Sequence, residues 1–141
     1  MSRSKHIQIG SQWAWAYDDS LHVALGIVVA LAKKRGERWL APIVEEMKSA
    51  ACVPDFGFTL PRLDETQAAV LATLAEQAMG LAKRHGPYAP SDLKGWCAGP
   101  GREIGMGALR GSALPVEGVL DVLDGLRGMF LRTLPSAGQN M

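Results

Sequence analysis

Seventeen residues, Gly95 to Gly111 (GWCAGPGREIGMGALRG), hold six of the chain's 16 glycines and two arginines, Arg102 and Arg110. Consecutive backbone N–H groups in a glycine loop can turn inward and form a nest for an anion. Flanking guanidinium groups would complete such a cradle. Residues Trp96, Arg102, Gly105, Gly107 and Arg110 are therefore the candidate anion-binding set. The competing reading is a loop packed against helix ends, with glycines where the backbone needs positive φ. The stretch from Gly86 to Leu114 carries little periodicity. Structureless loops of that length are uncommon in compact domains and are often functional.

Two stronger nucleotide signatures fail. Gly101, Gly105 and Gly107 reproduce the G-x-x-x-G-x-G spacing that resembles the cofactor loop of short-chain dehydrogenases. That chemistry needs a buried strand entering the turn and a helix leaving it, so that the helix N-terminus meets the pyrophosphate. Here Cys97-Ala-Gly-Pro100 precedes the loop and Ala108-Leu-Arg-Gly-Ser112 follows it, and neither suits its part. The Tyr-x-x-x-Lys pair is also missing, since Leu21 follows Tyr17 and Asp92 follows Tyr88 at that spacing. No glycine precedes Lys-Ser or Lys-Thr, which removes the P-loop.

His6, His22 and His85 lack a second ligand at metal-binding spacing, so no metal and no cofactor are expected. Cys52 and Cys97 lie far apart and read as free thiols. No motif marks either as a nucleophile. Glu117, Asp121 and Asp124 step by four and then three, which sets them on one helix face. Such a stripe is ordinarily the solvated side, and the sharper reading is a docking strip for a basic partner.

Trp13, Trp15 and Tyr17 alternate with alanines, a strand-like period of two that puts three large aromatics on one side. Aromatics in this pattern commonly enter the core or a self-association surface. They also dominate interface hot spots. Base stacking is disfavoured because no Lys or Arg interleaves them.

The elements that must carry these residues are mostly helical. Ile7 and Ile9 alternate ahead of Gly10-Ser11, which suits a two-residue type II′ turn and a small hairpin. A helix starting at Ser11 is the competing reading. Asp18, Asp19 and Ser20 cap a helix over about 19–34, apolar nearly all round and hence central, with Gly36 as its stop. A second helix covers 40–51, with Pro42 in its first turn and Leu40, Ile43, Val44 and Met47 on one stripe. Phe56, Phe58 and Leu60 alternate and suit a short extended piece. Asp64 to Gln67 matches a capping box, after which Val70, Leu71, Leu74, Ala78, Leu81 and Ala82 follow helical spacing. A short turn of helix fits 91–96, and a last helix fits 115–134. There Gly118 and Gly125 share a face suited to close approach of another backbone.

The expected fold is all-α: a compact bundle of four main helices plus a short helix, with a small N-terminal β-hairpin as an option. One globular domain is expected over 1–141, with residues 1–17 extended and 135–141 a flexible tail. A net charge of +1 argues against an electrostatic nucleic-acid binder. The longest apolar run, Leu21 to Ala32, falls short of the roughly 20 residues a membrane crossing needs. Nothing near Met1 has the pattern of an export signal, so the expected compartment is the cytoplasm. With no visible catalytic apparatus, the leading expectation is a non-enzymatic protein–protein interaction module, either a stoichiometric (immunity-type) inhibitor of a toxin or enzyme, or an adaptor. Trp13, Trp15, Tyr17, Glu117, Asp121 and Asp124 are its partner-binding candidates. The alternative is a small-ligand or anion-binding domain built on loop 95–111, with room for an enzyme. Homodimerisation through the aromatic segment is a third reading.

Overall fold

The computed structural model describes residues 4–52, 57–85, 115–132 and 139–140. Their order is β1 (Ser4–Ile9), β2 (Gln12–Tyr17), α1 (Asp18–Arg35), α2 (Leu40–Cys52), β3 (Phe58–Leu60), α3 (Glu65–His85), α4 (Val116–Leu131) and β4 (Gln139–Asn140). Helix dominates, as the periodicity predicts. The sheet is larger than the expected hairpin: four strands in the order β3-β1-β2-β4. The fold is therefore mostly helical with a small sheet. Two of its pairings are parallel, β1 with β3 and β2 with β4, and both join segments far apart in sequence.

The hairpin follows from its turn. Ile9 lies opposite Gln12, so the loop holds only Gly10 and Ser11. Gly10 has φ 60°, whereas Ser11 is not among the positive-φ residues. That combination is the II′ pattern, whose twist matches the flanking strands. A helix from Ser11 is thereby excluded. The Gly10 N–H donates to the Leu60 carbonyl at 3.0 Å, tying the turn to the end of β3. Gly57 precedes β3 and lies against the His6 backbone. A Cβ built there would collide with the His6 carbonyl oxygen. Only glycine permits β3 to lie this close to β1. Two residues of the segment expected to be a frayed tail form β4.

One contiguous core joins the sheet to the helices. Ile7, Ile9, Ala14 and Ala16 cover the inner face of the hairpin. Residues 20–29 of α1 are all buried, consistent with a helix that touches α2, α3, α4 and β2. In α2 the predicted stripe of Leu40, Ile43, Val44, Met47 and Ala50 is buried. The capping box at α3 forms in full. Asp64 Oδ1 accepts from the Gln67 N–H at 2.7 Å, and Gln67 Oε1 accepts from the Asp64 N–H at 3.2 Å.

α4 ends earlier than expected, where Arg132 takes a left-handed conformation with φ 57°. Its buried face comprises Val119, Val122, Leu123, Leu126, Met129 and Phe130. Val116 and Leu120 are only partly covered. The buried face packs against both α1 and α3. Gly118 lies against α1, but through a side chain rather than the close backbone approach expected: a Cβ there would lie 2.7 Å from the Ser20 hydroxyl. Among the described residues no helix is long and apolar enough to cross a membrane.

Candidate functional site on the outer face of the hairpin

The inner face of the hairpin holds isoleucines and alanines, so the bulky aromatic residues must point the other way. Trp13 remains 37% exposed and Trp15 39% exposed; with Leu131 they are the large apolar side chains left in solvent among the described residues. The reading that places these tryptophans in the core is corrected accordingly. Alanines, not tryptophans, are the inward residues of β2: Ala14 and Ala16 are buried.

Register then adds a residue the spacing argument did not include. Gln12 opposite Ile9 forces Trp15 opposite His6 and Trp13 opposite Gln8. The His6 ring lies edge-on to Trp15 at 5.2 Å between centroids, at an interplanar angle of 66°. It also lies 5.8 Å from Trp13, tilted by 36°. The imidazole thus wedges between two indoles. Counting back from a two-residue turn would have found it. Gln8, on the same face, donates from Nε2 to the Gly10 carbonyl at 3.2 Å and braces the turn. Thr59 of β3 is exposed at the adjoining edge, between buried Phe58 and Leu60. The product is an aromatic surface of His6, Trp13 and Trp15, with Gln8 beside it, fixed to a hydrogen-bonded sheet. Tyr17 pairs with Ser4 through the backbone, and its side chain lies outside the described residues.

The second candidate surface is the solvent side of α4. Glu117, Asp121 and Asp124 are all exposed there, as their spacing predicts. Asp124 is already engaged: its Oδ1 accepts from Arg127 Nη2 at 2.7 Å. The same guanidinium reaches Glu76 of α3 at 3.5 Å, so it bridges two helices. An exposed pair of this kind contributes at most about 1 kcal/mol.

A third cluster was not anticipated. In the turn between α1 and α2, Glu37 accepts from the Trp39 indole N–H at 2.5 Å and from Arg35 Nε at 2.7 Å. The indole hydrogen bond first, and Arg35 second, hold the Glu37 carboxyl below its ordinary range. These contacts order a short turn and bring no second reactive group to it.

The glycine-rich loop, with Trp96, Arg102, Gly105, Gly107 and Arg110, lies outside the described residues, as do Cys97 and the short helix expected at 91–96. β3, one of the two strands that join the sheet in parallel, is followed in sequence by residues 61–64 and then α3. Among the described residues no group of three or more His, Cys, Asp or Glu side chains converges as a metal site. His22 is buried within α1 at 3% exposure. Comparison with protein-family models, curated proteins and solved structures finds no match to this chain.

Proposed function

We propose that the chain is a non-enzymatic protein–protein interaction module whose partner docks on the outer face of the hairpin. The observation that carries this reading is the exposed pair Trp13 and Trp15, clamped about His6 on a rigid sheet. Indole surface held in water is costly, at roughly 25 cal/mol per Å² of apolar area. Covering it returns that free energy to the complex, and because the rings are already ordered, little side-chain entropy is lost on binding. Tryptophan is accordingly the residue type most enriched in hot spots. The scaffold behind it is read as a cytoplasmic domain, a helical bundle of α1 to α4 backing the sheet. Glu117, Asp121 and Asp124 add a negative strip that would steer a basic partner and raise its association rate. In this role the protein would act as an immunity-type inhibitor of a toxin or enzyme, or as an adaptor, by covering a surface rather than by chemistry.

The test is affinity capture from the native cell with wild-type protein and a Trp13→Ala/Trp15→Ala double variant, with the helical circular dichroism of both recorded. A specific partner retained by the wild type and lost by the folded double variant is the expected result. Equal recovery by both removes the aromatic face from the interface. Sedimentation velocity at tens of micromolar separates self-association: a wild-type dimer that the double variant dissolves would assign the face to a second copy of this chain.

A further inference from the structure

A cleft of about 400 Å³ opens at the far end of the hairpin, away from the His6–Trp cluster. Three segments distant in sequence build it. The Gly10-Ser11 turn forms one wall, the β3–α3 connection contributes Arg62 and Leu63, and the end of α4 contributes Met129, Phe130 and Arg132. Ile9 and Leu63, each 5% exposed, lie at the floor, which Met129 and Phe130 complete. Arg62 and Arg132 stand exposed at its edge. Among the described residues no acidic side chain lines the cleft, and neither guanidinium has a carboxylate partner. Two positive charges thus face one concavity with nothing on the described chain to balance them.

The walls are held in place. Gly10 donates to the Leu60 carbonyl at 3.0 Å, and a Cβ at Gly10 would come within 3.3 Å of the Arg62 Cα, so the turn already rests on the backbone that carries the arginine. Arg132 occupies the left-handed residue that closes α4, and its N–H donates to the Met129 carbonyl at 3.2 Å. Both arginine backbones are therefore fixed at the cleft before anything binds.

We propose that this cleft binds a compact organic anion: a phosphate monoester or carboxylate carried on a short apolar body. The head meets Arg62 and Arg132, whose planar guanidinium groups match phosphate and carboxylate oxygens in pairs. The Ser11 hydroxyl adds a polar group at the wall, and the apolar body rests over Ile9 and Leu63. An apolar concavity with a few converging polar groups is the usual form of a small-molecule site, and its volume lies at the lower end of that class. The site shares no lining residue with the His6–Trp13–Trp15 face.

The experiment is amide NMR titration of the full chain with phenyl phosphate, benzoate, inorganic phosphate and phenol. Saturable shifts at Gly10, Ser11, Leu63 and Arg132 with phenyl phosphate or benzoate are expected, and the tighter of the two identifies the head group. Arg62→Gln and Arg132→Gln should each weaken that binding about tenfold, the ordinary cost of losing a charged hydrogen bond. Their spectra should otherwise stay folded, since both side chains are exposed. Phenol acting as well as the anions, inorganic phosphate equalling phenyl phosphate, wild-type affinity in both variants, or no saturable shift with either organic anion would each overturn the proposal.

Discussion

The outer face of the hairpin and the outer face of α4 both present regularly spaced side chains to solvent, and the two arrangements mean different things. On α4 the exposed groups are Glu117, Asp121 and Asp124, with Arg127 folded back on Asp124. Carboxylates are at their lowest free energy in water, so their exposure needs no further cause. On the hairpin the exposed groups are two indoles packed about an imidazole. Single exposed apolar residues are commonplace, but a contiguous aromatic patch on a rigid sheet is a surface whose burial remains favourable. Regular spacing alone cannot distinguish these cases. What distinguishes them is the cost of leaving each face wet.

The largest expected effect separates the two faces by what supports them. Gly57→Ala forces a methyl group into the His6 carbonyl and must push β3 off β1. A destabilisation of about 3 kcal/mol is expected, the upper range for overpacking. Hydrogen exchange should show it as lost protection at Ile7 to Ile9 and Phe58 to Leu60, with α4 amides near the global limit. Equal loss across α4 would mean that the hairpin and the helices unfold as one unit.

A smaller effect is expected from the aromatic residues themselves. Trp13→Ala and Trp15→Ala each remove a ring contact with His6 and should cost about 1 kcal/mol in urea unfolding. Their effect on partner affinity should exceed this. A stability loss of 3 kcal/mol or more for either would show them to be structural residues, and the contrast with α4 would weaken.

The smallest effect belongs to the acidic stripe. Glu117→Gln removes a favourable charge from the first turn of α4, for about 0.5 kcal/mol. Asp121→Asn and Asp124→Asn should lie within about 0.5 kcal/mol of wild type. In the complex, the triple variant should slow association and flatten its salt dependence while leaving dissociation nearly unchanged. A faster dissociation equal to that of the tryptophan variants would place the stripe at the centre of the interface and reverse the order proposed for the two faces.

Much of the scaffold is legible in local sequence. The II′ turn needs only Gly10 followed by Ser11, and the start of α3 needs only Asp64 and Gln67 at their spacing. The buried stripe of α2 follows from its period. Each of these is decided within a few residues by backbone sterics and hydrogen bonding. The anion reading of loop 95–111 concerns residues outside those described. The contribution of His6 was legible in principle, since the length of the turn determines which residues face one another.

Local pattern did not decide which side of the hairpin is wet. Trp13 and Trp15 alternate with Ala14 and Ala16, and both sets are apolar, so the period of two has no preferred inner face until helices pack against one of them. The parallel pairings of β3 and β4 and the exclusion of a side chain at Gly57 arise in the same way. So does the meeting of Arg62 and Arg132 at one cleft. From the sequence alone came the helices, the cap and the turn, because their energetics are local. The tertiary structure alone assigned the exposed aromatic face and the cleft that Arg62 and Arg132 line, because those depend on contacts between residues tens of positions apart.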